Sequence, residues 1–158
     1  MRERYLIAIA ICAFTCTDGW AQTMCGGVYY THKNRDIRLY FPNPRAMLPV
    51  RMKDGEVCLL PWGRRSDQPG KLPRGGWARL AAVYSGSWDR WFPVPVKIPV
   101  KSFMERDIEG HSHWYDLTRG KWLQGLVARD GYEQRVYVVV VEPEMEDAAH
   151  ERWPRIMS

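Results

Sequence analysis

The stretch RVYVVVV, residues 135–141, limits what this chain can become more than any other. Its valines are stiff at χ1 and suit a pleated strand better than a helix. A continuous apolar run of this length reads as a central strand buried on both faces. Elsewhere the extended segments are short and cut by proline and glycine. Pro93, Pro95 and Pro99 keep PVKIPV, residues 95–100, out of a helix. DIRLYF (36–41) alternates like a half-buried strand and is stopped by Pro42-Asn43-Pro44. AMLPVRM (46–52) and EVCLLPW (56–62) flank Lys53-Asp54-Gly55, a hairpin turn. SHWYDL (112–117) and KWLQGLVAR (121–129) are strands separated by Thr118-Arg119-Gly120. WARLAAV (77–83) fits a strand end or a short helix equally well, and EPEMEDAAHERWP (142–154) reads as an acidic loop entering a short helix that Pro154 stops. The expected fold is therefore α+β with β dominant, in one domain, with a mixed or antiparallel curved sheet and few short helices.

Hydrophobic residues make up 46% of the 158, which is enough for a real core and excludes a disordered chain. The net charge of +5 points to a polyanionic partner. Residues 63–76, GRRSDQPGKLPRGG, form a polar basic loop between Trp62 and Trp77. Arg64, Arg65, Lys71, Arg74 and Arg79 cluster there around the two tryptophans. Cations that follow a phosphate backbone, interleaved with aromatic faces that stack bases, are what a single-stranded nucleic acid needs. The alternative for the same residues is a solvated loop over two core tryptophans.

Residues 1–23 resemble a leader, with Arg2 and Arg4 ahead of an apolar run from Tyr5 to Cys16 and small residues at Gly19 and Ala21. The outline is that of a secretory signal peptide, and it is too short for a comfortable membrane-spanning helix. The competing reading is a misassigned start, with translation beginning at Met24 and Cys25 exposed once Met24 is removed. Of the four cysteines only Cys25 and Cys58 lie beyond this segment. An exported protein could join them in one disulfide. His111 and His113 share a strand face, but a metal would need a third ligand and none is evident nearby, so no metal is expected.

Three stretches in order resemble the SOS response-associated peptidase (SRAP) family. Met24-Cys25-Gly26 is similar to that family's Met-Cys-Gly start. Ile98-Pro99-Val100-Lys101-Ser102-Phe103-Met104-Glu105 is similar to its I-P-x-x-G-F-Y-E-W segment, and Ala149-His150-Glu151-Arg152-Trp153-Pro154 to its I-H-D-R-M-P. Between them Leu60-Pro61-Trp62-Gly63 and Trp77-Ala78-Arg79 resemble its W-G and N-A-R segments. Trp77 stands where the family has asparagine and Gly27 where it has arginine, and residues 24–158 make a C-terminally short version of the domain.

The resemblance implies a DNA-repair protein that binds single-stranded DNA and crosslinks abasic sites through an N-terminal Cys25. The α-amine attacks the ring-opened sugar, and the thiol beside it closes a thiazolidine. Glu105 would carry protons and His150 would shuttle them or orient a leaving group. The same groups are implied in cutting the peptide bond ahead of the cysteine. Arg152 joins Arg64, Arg65, Lys71, Arg74, Trp77 and Arg79 as expected DNA contacts. No cofactor and no membrane partner is expected, and the protein is expected to act as a monomer in the cytoplasm at the nucleoid. A periplasmic or secreted location would follow if the leader is real. Two other readings stay open: a catalytically degenerate nucleic-acid-binding protein, and an exported small disulfide-bonded domain.

Overall fold

In the computed structural model, which describes residues 26–142 and 152–158, twelve strands form two sheets. The expected β-dominated α+β chain with few short helices is what is found. The small sheet is antiparallel and has four strands: β1 (Gly26–His32), β2 (Arg35–Tyr40), β7 (Ser102–Arg106) and β8 (Ser112–Asp116), in the order β2-β1-β7-β8. The large sheet runs β11-β10-β9-β6-β3-β4, from β3 (Met47–Arg51), β4 (Val57–Pro61), β6 (Val94–Ile98), β9 (Trp122–Asp130), β10 (Glu133–Val141) and β11 (Trp153–Pro154). Two short strands join off this path. β5 (Trp77–Arg79) lies parallel to β10, and β12 (Ile156–Met157) pairs with β9. WARLAAV is thus both of its alternatives in turn, β5 and then helix α1 (Leu80–Tyr84).

Side-chain alternation explains why the sheets stack. Val28 and Tyr30 of β1 and Phe103 of β7 face Leu48, Val50, Ile98, Leu123, Val127, Val136 and Val138 of the large sheet, in one buried cluster. Each such fully buried side chain is worth about 1.5–3 kcal/mol. The valine run is buried on both sides. Val136 and Val138 enter the cluster between the sheets, while Tyr137 and Val139 enter a second one with Leu72, Ala78 and Trp88 on the outer face.

Residues 152–157 carry the final pairing. Trp153 and Pro154 pair with Val141 and Val140, Arg155 donates its N–H to Val139, and Gln124 donates its N–H to Arg155. This segment therefore ties the ends of β9 and β10 together. The helix expected ahead of Pro154 falls on residues outside the described ones, and Trp153–Pro154 themselves are extended. The leader-like residues 1–23, Cys25 and His150 also lie outside the described residues. Among the described residues no helix is long and apolar enough to cross a membrane.

The basic loop corrects one expectation. Arg64 and Arg65 are buried and spend their donors inside the protein. Arg64 donates to the carbonyls of Leu72 (2.6 Å) and Gln68 (2.8 Å). Arg65 donates to Trp62 O at 2.6 Å and, through Nε at 2.7 Å and a second nitrogen, to Phe41 O, with its guanidinium over the Phe41 ring. These two cations hold the loop onto the core and offer nothing to a DNA strand. Gly63, with φ of 52°, lets the chain pass within contact of Gly75, where a Cβ would meet the carbonyl oxygen at 2.1 Å. Truncating Arg65 leaves buried carbonyls without donors. Arg65→Ala is expected to lose about 2–3 kcal/mol of unfolding free energy in urea denaturation, whereas Arg79→Ala on the exposed surface changes it by less than about 0.5 kcal/mol.

Candidate functional site

Strand parity turns a carboxyl group into the interior. On β7, Glu105 shares its face with Phe103, and that face looks into the space between the sheets. Glu105 is 4% exposed. Burial pushes its pKa up to about 7, against the opposing pull of Arg152, whose Nε stands 3.4 Å from Oε2. The β1–β7 register makes Gly26 the direct cross-strand partner of Glu105. Gly26 follows Cys25 in the chain.

Gly26 must be glycine here because the indole of Trp77 closes over it: a Cβ would stand 2.6 Å from Cζ2 of that ring. Trp77 in turn packs against Phe41 and Trp62, with centroids 4.8 and 5.6 Å away. The guanidinium of Arg152 sits 3.6 Å from the Trp77 centroid. Trp77 thus positions Arg152, and Arg152 meets Glu105. A base approaching that face of the indole meets the guanidinium first, so stacking directly on Trp77, as the sequence led us to expect, is not what the ring is arranged for.

Trp77 and Arg152 also line a groove of about 520 Å³, together with Arg74, Arg79, Tyr84 and Glu142 among others; Glu105 itself is not in that lining. Four of the seven residues expected to touch DNA, Arg74, Trp77, Arg79 and Arg152, are therefore brought together. Lys71 is exposed but is not part of the lining, and Arg64 and Arg65 are interior. Sequence reading missed Tyr84, which is 74% exposed at the end of α1. A lone aromatic after an alanine-valine run gave no signal. His150 belongs to the segment between Glu142 and Arg152, both of which line the groove.

The histidine pair gained neighbours that the spacing did not reveal. Between β7 and β8 the chain turns so that Asp107, Glu109 and His111 bring their ligand atoms within 4.8 Å of one another. Asp107 accepts from His113 at 2.8 Å and from the N–H groups of Glu109 and His111. The His113 contact is the main reason its pKa falls to about 2. These bonds close the hairpin turn. Cys58, on β4, packs against the core and has no disulfide partner among the described residues.

No protein-family model matches the chain, and no curated protein matches its sequence. The likeness to SRAP proteins therefore rests on the quoted motifs alone.

Two outcomes follow from this geometry. Glu105 has a folded pKa of about 7, above its ordinary 4.5, so the folded protein holds the proton more tightly than the unfolded chain. The stability it contributes is complete below pH 4.5 and is lost as the pH rises towards 7. Urea midpoints of wild type and Glu105→Gln should diverge across this window, with wild type losing up to about 3 kcal/mol more than the variant between pH 5 and pH 8. Gly26→Ala must displace Trp77 from Gly26, and is expected to cost about 1–3 kcal/mol with a change in tryptophan emission.

Proposed function

We propose that this protein captures abasic sites in single-stranded DNA through Cys25, in the manner of SRAP proteins. The observation that carries the reading is the register pair Gly26↔Glu105. It sets the residue after Cys25 opposite a buried carboxyl that holds its proton near neutral pH and that meets Arg152, one of three arginines lining a groove. In the reaction the free α-amine of Cys25 adds to the C1′ aldehyde of the opened sugar. Loss of one water gives an imine, and the thiol adds to the imine carbon while its proton passes to nitrogen. One C–N and one C–S bond form, and the C=O bond is broken. Glu105 protonates the departing hydroxyl and takes the proton back, a role suited to an acid whose pKa lies near the working pH. The chemistry requires an unblocked Cys25, so the bond preceding it must first be cut, either by removal of Met24 or by the protein's own peptidase activity.

A second reading, non-covalent binding of single strands, is favoured by one feature. The indole of Trp77 closes over Gly26 where the SRAP resemblance puts an asparagine, and an indole cannot reproduce the amide's hydrogen bonds.

The deciding experiment incubates full-length protein with an abasic oligonucleotide and resolves products on a denaturing gel, with intact-mass analysis of the N-terminus. A covalent band is expected from wild type, none from Cys25→Ala, and formation about 10²–10⁴-fold slower from Glu105→Gln. Salt-sensitive binding without any covalent band would establish the second reading instead.

A further inference from the structure

A second concavity, of about 640 Å³, lies on the outer face of the large sheet. The same strands that send Leu48, Val50, Ile98 and Leu123 into the space between the sheets send Arg51, Lys97, Trp122 and Gln124 to the opposite face. Arg51 and Lys97 are direct cross-strand partners, and Lys97 is in turn the partner of Gln124. Arg155 donates to Gln124 Oε1 at 2.6 Å and lines the same hollow, as do Lys53 and Trp122.

Like charges directly opposite on neighbouring strands destabilise a sheet. Among the described residues no carboxylate forms an ion pair with Arg51, Lys53, Lys97 or Arg155. Asp54 and Glu56 of the adjacent turn do not line the hollow, and Asp54 is bonded to the N–H of Glu56. Lys97 Nζ finds local relief 4.1 Å from the centre of the Trp122 ring. Four cations converge on a concave surface that has no acid in its lining among the described residues.

We propose that this hollow is a second anion site that binds the phosphodiester backbone of a nucleic-acid strand, with Arg51, Lys53, Lys97 and Arg155 as its phosphate contacts. It goes beyond the groove at Arg152 and rests on the nucleic-acid reading only for the identity of the ligand. Arg152 lines the first groove, and Arg155, three residues on, lines this hollow. A strand engaged at one groove has a second basic surface within reach around the edge of the sheet. That arrangement suits DNA that continues past the lesion.

The test uses the full chain and an intact fluorescein-labelled thymidine 20-mer without an abasic site, titrated over a salt series. Arg51→Gln/Lys97→Gln removes two phosphate contacts. The slope of log affinity against log salt should fall by about 1.4 in magnitude, from about 0.7 per contact on a single strand. Covalent capture of an abasic oligonucleotide at saturating concentration should be unchanged. Since the substitutions also relieve a like-charge pair, the variant should unfold at an equal or higher urea concentration than wild type at low salt, which shows that it is folded. An unchanged affinity and slope overturns the proposal. So does stabilisation of wild type alone by inorganic phosphate with no effect on strand binding, which assigns the hollow to a free anion. Loss of slope in a protein that forms no covalent adduct supports this site while rejecting the reading of Cys25.

Discussion

One stack of side chains holds the candidate site in place. The guanidinium of Arg65 lies over Phe41, Phe41 packs on Trp62 and Trp77, and the guanidinium of Arg152 covers Trp77 and reaches Glu105. Three aromatic rings far apart in sequence thus lie between two cations. Trp62 is fixed further by donating its indole N–H to Gly76 O at 2.9 Å. Offset and edge-on aromatic contacts and cation–π contacts each contribute about 1 kcal/mol. Their larger effect is geometric. Trp77 is packed against Trp62 and Phe41, and its place decides where Arg152 stands and what can occupy position 26.

The buried carboxyl is the counterpart of that rigidity. A charged group at 4% exposure costs several kcal/mol unless it is paired or neutral. Arg152 approaches at 3.4 Å, yet desolvation still outweighs it and the carboxyl keeps its proton up to about pH 7. A group left between its two protonation states at neutral pH can both give and take a proton. The basic groove that Arg152 lines and the basic hollow on the outer face differ in this respect. The first is linked to a titratable acid through Arg152, while the second has no acid in its lining among the described residues.

Much of the fold was readable because its strands announce themselves chemically. The valine run, PVKIPV, DIRLYF, SHWYDL and KWLQGLVAR all became strands close to their expected limits. Among the strands not recognised as such were the two-residue β11 and β12 and, more consequentially, β1 and β7, which carry the register pair at the candidate site. Gly26 and Gly27 lower strand propensity, and a glycine in a strand marks close approach by another group. The indole of Trp77 is that group. Ser102–Glu105 show no alternation because all four are buried, on one face by the large sheet and on the other by their own sheet's side chains. The basic loop misled for a related reason. An arginine that donates to buried carbonyls and one that waits for phosphate look alike in sequence, and only the burial of Arg64 and Arg65 separates them from Arg74 and Arg79.

The sequence by itself determined the β-dominated character of the chain, its turn positions and its excess of positive charge, because strand propensity, proline geometry and charge are local properties. Tertiary structure alone decided which arginines are structural, that Glu105 faces the core and holds its proton, that Gly26 lies opposite it, and that Arg51 faces Lys97. These depend on register and on which strands meet. A shift of one residue in the pairing would turn every one of those side chains to the other face.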